Sequence, residues 1–300
     1  MTTQVCPMPL VTVVLIFLDG ERFMAEAVQS VLGQTIADWE LILVDDGSTD
    51  GSSAIARSFA AADQRIRYVD HPGHRNHGMS ASRNLGSAHG TGDHIAFLDA
   101  DDVWEPTKLA EQVALLEAMP DAALVCGALL YWNSWNPAAQ EPDRLVLTGG
   151  VSDARLETPE ALLRFYPLGQ AAGAGLDVLV RRTAFDAVGG FEERFRGLYE
   201  DQAFLAKIFL RYPVFVSSRP WLRYRQHDAS CCAVTTRSDT DYRRFRGAYL
   251  DWLAEHVRIS GLHAAVLNAA IRKARARLRR TAFKGLLRQT ARRLLGRSGH

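Results

Sequence analysis

Long apolar runs are missing from this chain. The longest, Val13 to Leu18, falls far short of the roughly 20 residues that a bilayer-spanning helix needs. The N-terminus also lacks the basic, apolar and small-residue succession of a secretory signal, so a cytoplasmic protein is expected. Cysteine is scarce. Cys6, Cys126, Cys231 and Cys232 show no CxxC spacing, which argues against a zinc ribbon or a disulfide framework and fits reduced thiols. Acid is absent from the end of the chain: no Asp or Glu follows Glu255, whereas twelve Lys or Arg residues do. Of the 35 basic and 34 acidic residues, 23 basic and all 34 acidic therefore lie within residues 1–255. The net charge of +1 is a body of about −11 joined to a tail of about +12.

What is present reads as an ordinary globular composition, 47% hydrophobic and 23% charged, long enough for one large domain or two small ones. Over the first 130 residues strand-like and helix-like segments alternate. Val11–Phe17, Glu40–Val44, Ile66–Val69 and His94–Leu98 read as strands, with helical patterns between them. That alternation predicts an α/β fold with a mostly parallel sheet covered by helices. Residues 131–175 are rich in Gly, Pro and Ala and read as a loop-rich edge. Asp177–Arg181, Val214–Val216 and Leu222–Arg225 read as further strands, Leu198–Arg211 as a helix, and the chain from Asp239 onward as helical.

Two acidic segments fall at the ends of predicted strands, where open α/β sheets bind ligands. The first is Asp99-Ala100-Asp101-Asp102. Three carboxylates there are costly unless a cation neutralises them, and hard oxygen ligands suit Mg²⁺ or Mn²⁺. Turns and helix caps are the alternative use of such residues. The second is Asp45-Asp46-Gly47-Ser48-Thr49-Asp50-Gly51-Ser52. It reads either as a turn with a helix cap or as a carboxylate, Asp46, facing a nucleobase or ribose. A calcium loop is excluded, because its twelfth position is Arg57 where a bidentate Glu is required.

These segments occur in order with Val11-Thr12-Val13-Val14, Ser30-Val31-Leu32-Gly33-Gln34-Thr35, Ser82-Arg83-Asn84-Leu85-Gly86, Phe185-Asp186-Ala187-Val188-Gly189-Gly190-Phe191, Glu200-Asp201 and Tyr224-Arg225-Gln226-His227. The ordered set resembles the family 2 glycosyltransferases, with their Rossmann-like GT-A fold, over residues 10–230. The resemblance implies a metal-dependent, inverting transfer of a sugar from a nucleoside diphosphate to a hydroxyl acceptor, in polysaccharide, lipopolysaccharide or other cell-envelope glycan synthesis. It implies that Asp46 contacts the base and Asp99 the ribose. Asp101, with Asp102 in reserve and His227 nearby, would hold Mn²⁺ or Mg²⁺. Asp201 of the acidic pair would be the general base beside Glu200. Two acids in a first helical turn also complement the helix dipole without any catalysis. Arg83 is read either as a phosphate contact or as a helix cap.

The first strand ends Ile16-Phe17-Leu18-Asp19, without the proline and amide usual in the family. Asp19 is therefore placed on the nucleotide side, and a UDP-sugar is the favoured donor with the base left open.

The resemblance divides the chain into a glycosyltransferase domain over 1–236 and a basic helical extension over 237–300. Within the domain, residues 10–130 would bind the nucleotide and 131–236 the acceptor. In the extension Val266, Leu267, Ile271, Leu278, Leu286, Leu287, Leu294 and Leu295 form a partial apolar stripe among arginines and lysines. Such a helix can lie on the anionic inner face of a membrane, beside a lipid-linked acceptor; packing on its own acidic body is the alternative. No stacking-aromatic or groove-reading motif supports nucleic acid as a partner. A catalytically degenerate sugar-nucleotide-binding or membrane-associated module is the competing function, and a sugar nucleotidyltransferase a weaker one. The latter needs a Gly-rich basic loop after the first strand, and Leu18-Asp19-Gly20-Glu21-Arg22 is not that.

Overall fold

The computed structural model describes residues 9–236 and 238–295, with side chains through Arg280. In chain order the elements are β1 (Val11–Phe17), α1 (Met24–Leu32), β2 (Trp39–Asp45), α2 (Ser52–Ala62), β3 (Ile66–Asp70), α3 (Met79–His89), β4 (His94–Asp99), β5 (Val103–Trp104), α4 (Lys108–Ala118), β6 (Leu124–Cys126) and β7 (Leu129–Trp132). They continue with β8 (Arg144–Val146), β9 (Ala154–Leu156), α5 (Glu160–Arg164), β10 (Val178–Arg181), α6 (Arg182–Val188), α7 (Glu200–Phe209), β11 (Val214–Val216), β12 (Leu222–Arg225), α8 (Cys231–Thr236), α9 (Asp239–Ser260) and α10 (Ala264–Leu295).

Eight strands form one sheet in the order β3-β2-β1-β4-β10-β6-β11-β9, and four form a smaller one in the order β5-β12-β7-β8. The half read from alternating segments, β3-β2-β1-β4, is parallel throughout. Beyond it the sheet is mixed, because β10 runs antiparallel to both β4 and β6. β1 and β2 are buried along their whole length, as strands covered by helices on both faces require. Gly86 lets α3 approach that sheet closely, since a Cβ there would lie 2.4 Å from Val14 Cγ1 and 2.9 Å from Val44 Cγ2.

The Gly- and Pro-rich segment expected as loops folds into the short β8, β9 and α5. An apolar stretch spans residues 123–130. It breaks at Gly127 into β6 and β7, which belong to different sheets. Gly127 is pressed between Asp177, Arg219 and Trp221, where a Cβ would lie within 2.8 Å of each.

One ion pair is sealed below the sheet. Lys108 Nζ donates to Asp177 Oδ1, and to Gln112 Oε1 at 3.0 Å. Lys108 is 0% and Asp177 1% exposed. Burial pushes the lysine down and the carboxyl up, each opposed by its partner's charge.

The C-terminal helices are part of the main core. Tyr249, Leu250, Trp252, Leu253 and Val257 of α9, with Leu267, Ile271 and Ala274 of α10, share one buried cluster with Val14, Phe97 and Phe204. Thus Leu267 and Ile271, read from the sequence as a membrane-facing stripe, are spent on the protein's own interior, as the packed-helix alternative expects. The side chains of Leu286, Leu287, Leu294 and Leu295 lie outside those described. Among the described residues no helix is long and apolar enough to cross a membrane.

Candidate active site

The C-terminal mouth of β4 and the N-terminus of α7 face one cleft of about 460 Å³. β4 ends at Asp99, and the chain then turns on an Asp102 N–H bond to the Asp99 carbonyl at 3.1 Å. The turn sets Asp101 and Asp102 at the mouth. Across the cleft, Glu200 and Asp201 start α7 behind Tyr199, whose φ of 76° is left-handed. Arg83, Asp99, Asp101, Asp102, Glu200 and Asp201 all line this cleft. His227 joins them through Asp101, its Nε2 lying 2.9 Å from Oδ2.

The acids have unlike surroundings. Asp102 is 3% exposed, and its Oδ1 accepts the Arg225 N–H at 2.9 Å. Burial and the charges of Asp101 and Asp99 hold its carboxyl well above the usual range. Asp102 therefore anchors β12 to the turn, while Asp101 is the more open of the two. Arg225 fixes the same turn from the other side. Its Nε donates to the Asp101 carbonyl at 2.7 Å and its Nη2 to Glu26 Oε2 at 2.5 Å, with its guanidinium 4.4 Å from the Trp132 ring and 4.6 Å from Phe23. Burial raises the carboxyls of both Glu200 and Asp201, and for Glu200 the neighbouring Asp201 charge adds to it.

Among the described residues no three His, Cys, Asp or Glu side chains gather into a complete metal site. The Asp101–His227 pair offers one oxygen and one nitrogen donor. That set fits Mg²⁺ or Mn²⁺, which take one or two protein ligands and fill the rest with phosphate oxygens and water.

Asp46 and Asp19 lie outside the cleft. Asp46 is 4% exposed, and its carboxylate accepts the His77 N–H at 2.7 Å and the Gly78 N–H at 3.0 Å at the start of α3. Asp19 Oδ1 accepts the Thr49 and Asp50 amides at 2.7 and 3.3 Å. Both carboxylates organise the loops after β2 and β3. Gly47 permits that arrangement: its φ is +91°, and a Cβ would come within 2.9 Å of the Arg75 and Asn76 backbone.

Sequence reasoning missed the aromatic wall. Tyr131, Tyr166, Tyr199, Tyr224 and Tyr242 line the same cleft from five separate segments, and the Tyr166 and Tyr242 hydroxyls bond to each other. No spacing links these residues, so no local signal was there to find. Tyr242 belongs to α9, so the C-terminal extension contributes to the cleft wall.

Residues 12–160 match the family model described as glycosyl transferase family 2. A Bacillus subtilis protein named as the glycosyltransferase EpsE is 43% identical over 142 residues, covering 45% of this chain and 50% of EpsE. Another, named as the teichuronic acid biosynthesis glycosyltransferase TuaG, is 36% identical over 108 residues, covering 36% and 42%. The chain thus spans half or less of the length of these relatives. Among solved structures, Staphylococcus aureus TarS 1–349 in complex with UDP-GlcNAc superposes with a TM-score of 0.68 at 17% identity, covering 87% of this chain and 70% of that one. A mannosyltransferase from Pyrobaculum calidifontis in complex with GDP-Man and Mn²⁺ gives 0.58 at 18% identity, covering 96% and 81%. The fold is that of the GT-A glycosyltransferases, and residues 12–160 belong to glycosyl transferase family 2.

Proposed function

We propose that this chain is a metal-dependent inverting glycosyltransferase moving a sugar from a nucleoside diphosphate, UDP favoured, to a hydroxyl of a cell-envelope glycan or its lipid-linked precursor. The observation that carries this reading is the meeting of two acid sets in one cleft, Asp99 and Asp101 from β4 and its turn, Glu200 and Asp201 from α7. Donor complexes of the two structural neighbours, with UDP-GlcNAc and with GDP-Man and Mn²⁺, support a nucleotide sugar. TuaG's name supports a cell-wall acceptor.

In this reading residues 10–130 hold the donor. Asp101 and His227 would bind the metal, which when bound neutralises charge on the diphosphate. Asp99 faces the ribose, and Asp46 and Asp19 shape the loops around the nucleotide. Asp201 takes the proton of the acceptor hydroxyl, which is too weak an acid to attack unaided. The hydroxyl then attacks the anomeric carbon opposite the leaving diphosphate, through an oxocarbenium-like state, and the configuration inverts. The tyrosine wall suits an acceptor pyranose, whose apolar face packs on aromatic rings.

A thermal-shift panel of UDP, GDP and their sugars, with Mn²⁺ and with EDTA, tests the donor reading. A nucleotide at about 100 times its Kd adds about 2.7 kcal/mol of stability, which reads as a rise of several degrees. The rise is expected with Mn²⁺ and lost with EDTA; no rise with any nucleotide would leave a degenerate module.

Peripheral membrane binding, on the cytoplasmic side, is part of the same proposal and rests on the charge of the tail. Deleting all of α10 would strip Leu267, Ile271 and Ala274 from the core, so the fair test ends the chain after Arg280. That deletion, which removes five basic residues, is expected to reduce co-sedimentation with anionic liposomes without lowering the melting temperature. Unchanged co-sedimentation would remove the tail from the proposal.

A further inference from the structure

We propose that Arg83 is a positioning residue that ties the donor-side and acceptor-side acids together, fixing Glu200 as its partner so that Asp201 alone is offered to the acceptor. The inference rests on the glycosyl-transfer reading and assigns a division of labour within that site.

Arg83 is 1% exposed. Its Nη2 donates to Asp99 Oδ1 at 2.7 Å and its Nη1 to Glu200 Oε1 at 3.1 Å. One planar guanidinium therefore bridges Asp99 at the end of β4 and Glu200 at the start of α7, positions 101 residues apart in sequence. The Phe191 ring lies 5.4 Å from it. Each terminal nitrogen donates to a carboxylate, which adds an internal role to the phosphate contact or helix cap read from the sequence.

The two neighbouring acids of α7 consequently differ. Glu200 has a cation. Among the described residues Asp201 accepts from Gln202, at 2.7 Å from its N–H and 3.2 Å from its Nε2. Gln202 is itself held, its Nε2 donating to the Ala174 carbonyl at 2.8 Å. An arginine stays charged at any working pH, so Arg83 opposes the burial and the Asp201 charge that raise the Glu200 carboxyl. The tie holds the Glu200 carboxylate on Arg83, whereas the Asp201 carboxylate is held by Gln202. A lysine at 83 is a single point charge and does not reproduce a bridge that depends on two nitrogens of one fork.

Steady-state kinetics of Arg83→Lys, Arg83→Met, Glu200→Gln and the Arg83→Met/Glu200→Gln double variant, with calorimetric UDP binding in Mn²⁺, test the assignment. A misplaced base of this kind costs on the order of 10²-fold. We expect kcat to fall by about that factor in Arg83→Met, with UDP affinity and donor KM changed by less than about threefold. Arg83→Lys should recover only part of the loss. The double variant should be no worse than Arg83→Met, because the two residues act as one unit. A loss of about tenfold or more in UDP affinity with kcat unchanged would make Arg83 a phosphate contact and overturn the proposal, as would additive losses in the double variant. Amide hydrogen exchange of the ligand-free variants gives a readout independent of activity. Faster exchange confined to residues 199–204 in Arg83→Met supports the tie even if no sugar is transferred. An unchanged pattern overturns it even if transfer is robust.

Discussion

Asp201→Asn is expected to lower glycosyl transfer by about 10²–10⁴-fold, the usual contribution of a positioned general base, while Mn²⁺-dependent UDP binding stays within about a factor of two. The asymmetry follows from the geometry. Asp201 lines the cleft from the start of α7 and has no bond to Asp99, Asp101 or His227 among its hydrogen bonds. The amide keeps the shape and the bond from the Gln202 N–H but cannot take a proton. Measuring transfer and UDP affinity on the same preparation separates the two effects. Undiminished transfer would refute the base assignment. Equal losses in both would move Asp201 to the donor side.

The largest expected loss of stability lies at the buried Lys108–Asp177 pair. Lys108→Met should cost about 3–5 kcal/mol, because it strands the Asp177 carboxylate in the interior. At about 2–4 °C per kcal/mol for a chain of this size, the melting temperature drops by roughly 10 °C. The deficit depends on pH with a definite sign. Asp177 is already held above the ordinary carboxylate value by burial, against the pull of Lys108, and losing the lysine raises it further. A group whose pKa is raised on folding stabilises the fold at low pH and loses that contribution as pH climbs through the folded value. The variant should therefore approach wild type in mild acid and fall away toward neutrality. Lys108→Met/Asp177→Asn, which removes both charges, should recover most of the loss at neutral pH. A double variant as unstable as the single would show that packing, and not a stranded charge, sets the cost.

The parallel half of the sheet was legible because its strands are continuous β-branched and apolar runs closed by Asp and Gly, and local pattern alone marks such segments. Asp99, Asp101, Glu200 and Asp201 were legible because acids at strand mouths and helix starts stand out against apolar neighbours, and their order along the chain matched a known family. Partnership was not legible. Nothing around Ser82-Arg83-Asn84 says that the arginine is shared between residues 99 and 200, and nothing near Asp102 says that it serves the backbone of Arg225. The tail misled for a related reason. The stripe at Leu267 and Ile271 is the same whether the apolar partner is lipid or the protein's own α9, and only tertiary packing decides.

The insertion of β10 between β4 and β6 has a consequence for how this chain emerges from a ribosome. Among the described residues β6 pairs only with β10 and β11, and β9 only with β11. A nascent chain that ends at residue 160, where the family match ends, would hold β6 and β9 without partners and β4 with one bare edge. Such edges are templates for association with other chains, and pairing across that distance is slow to form. Residues 12–160, which carry the family match, thus depend on residues 178–216 to complete their sheet.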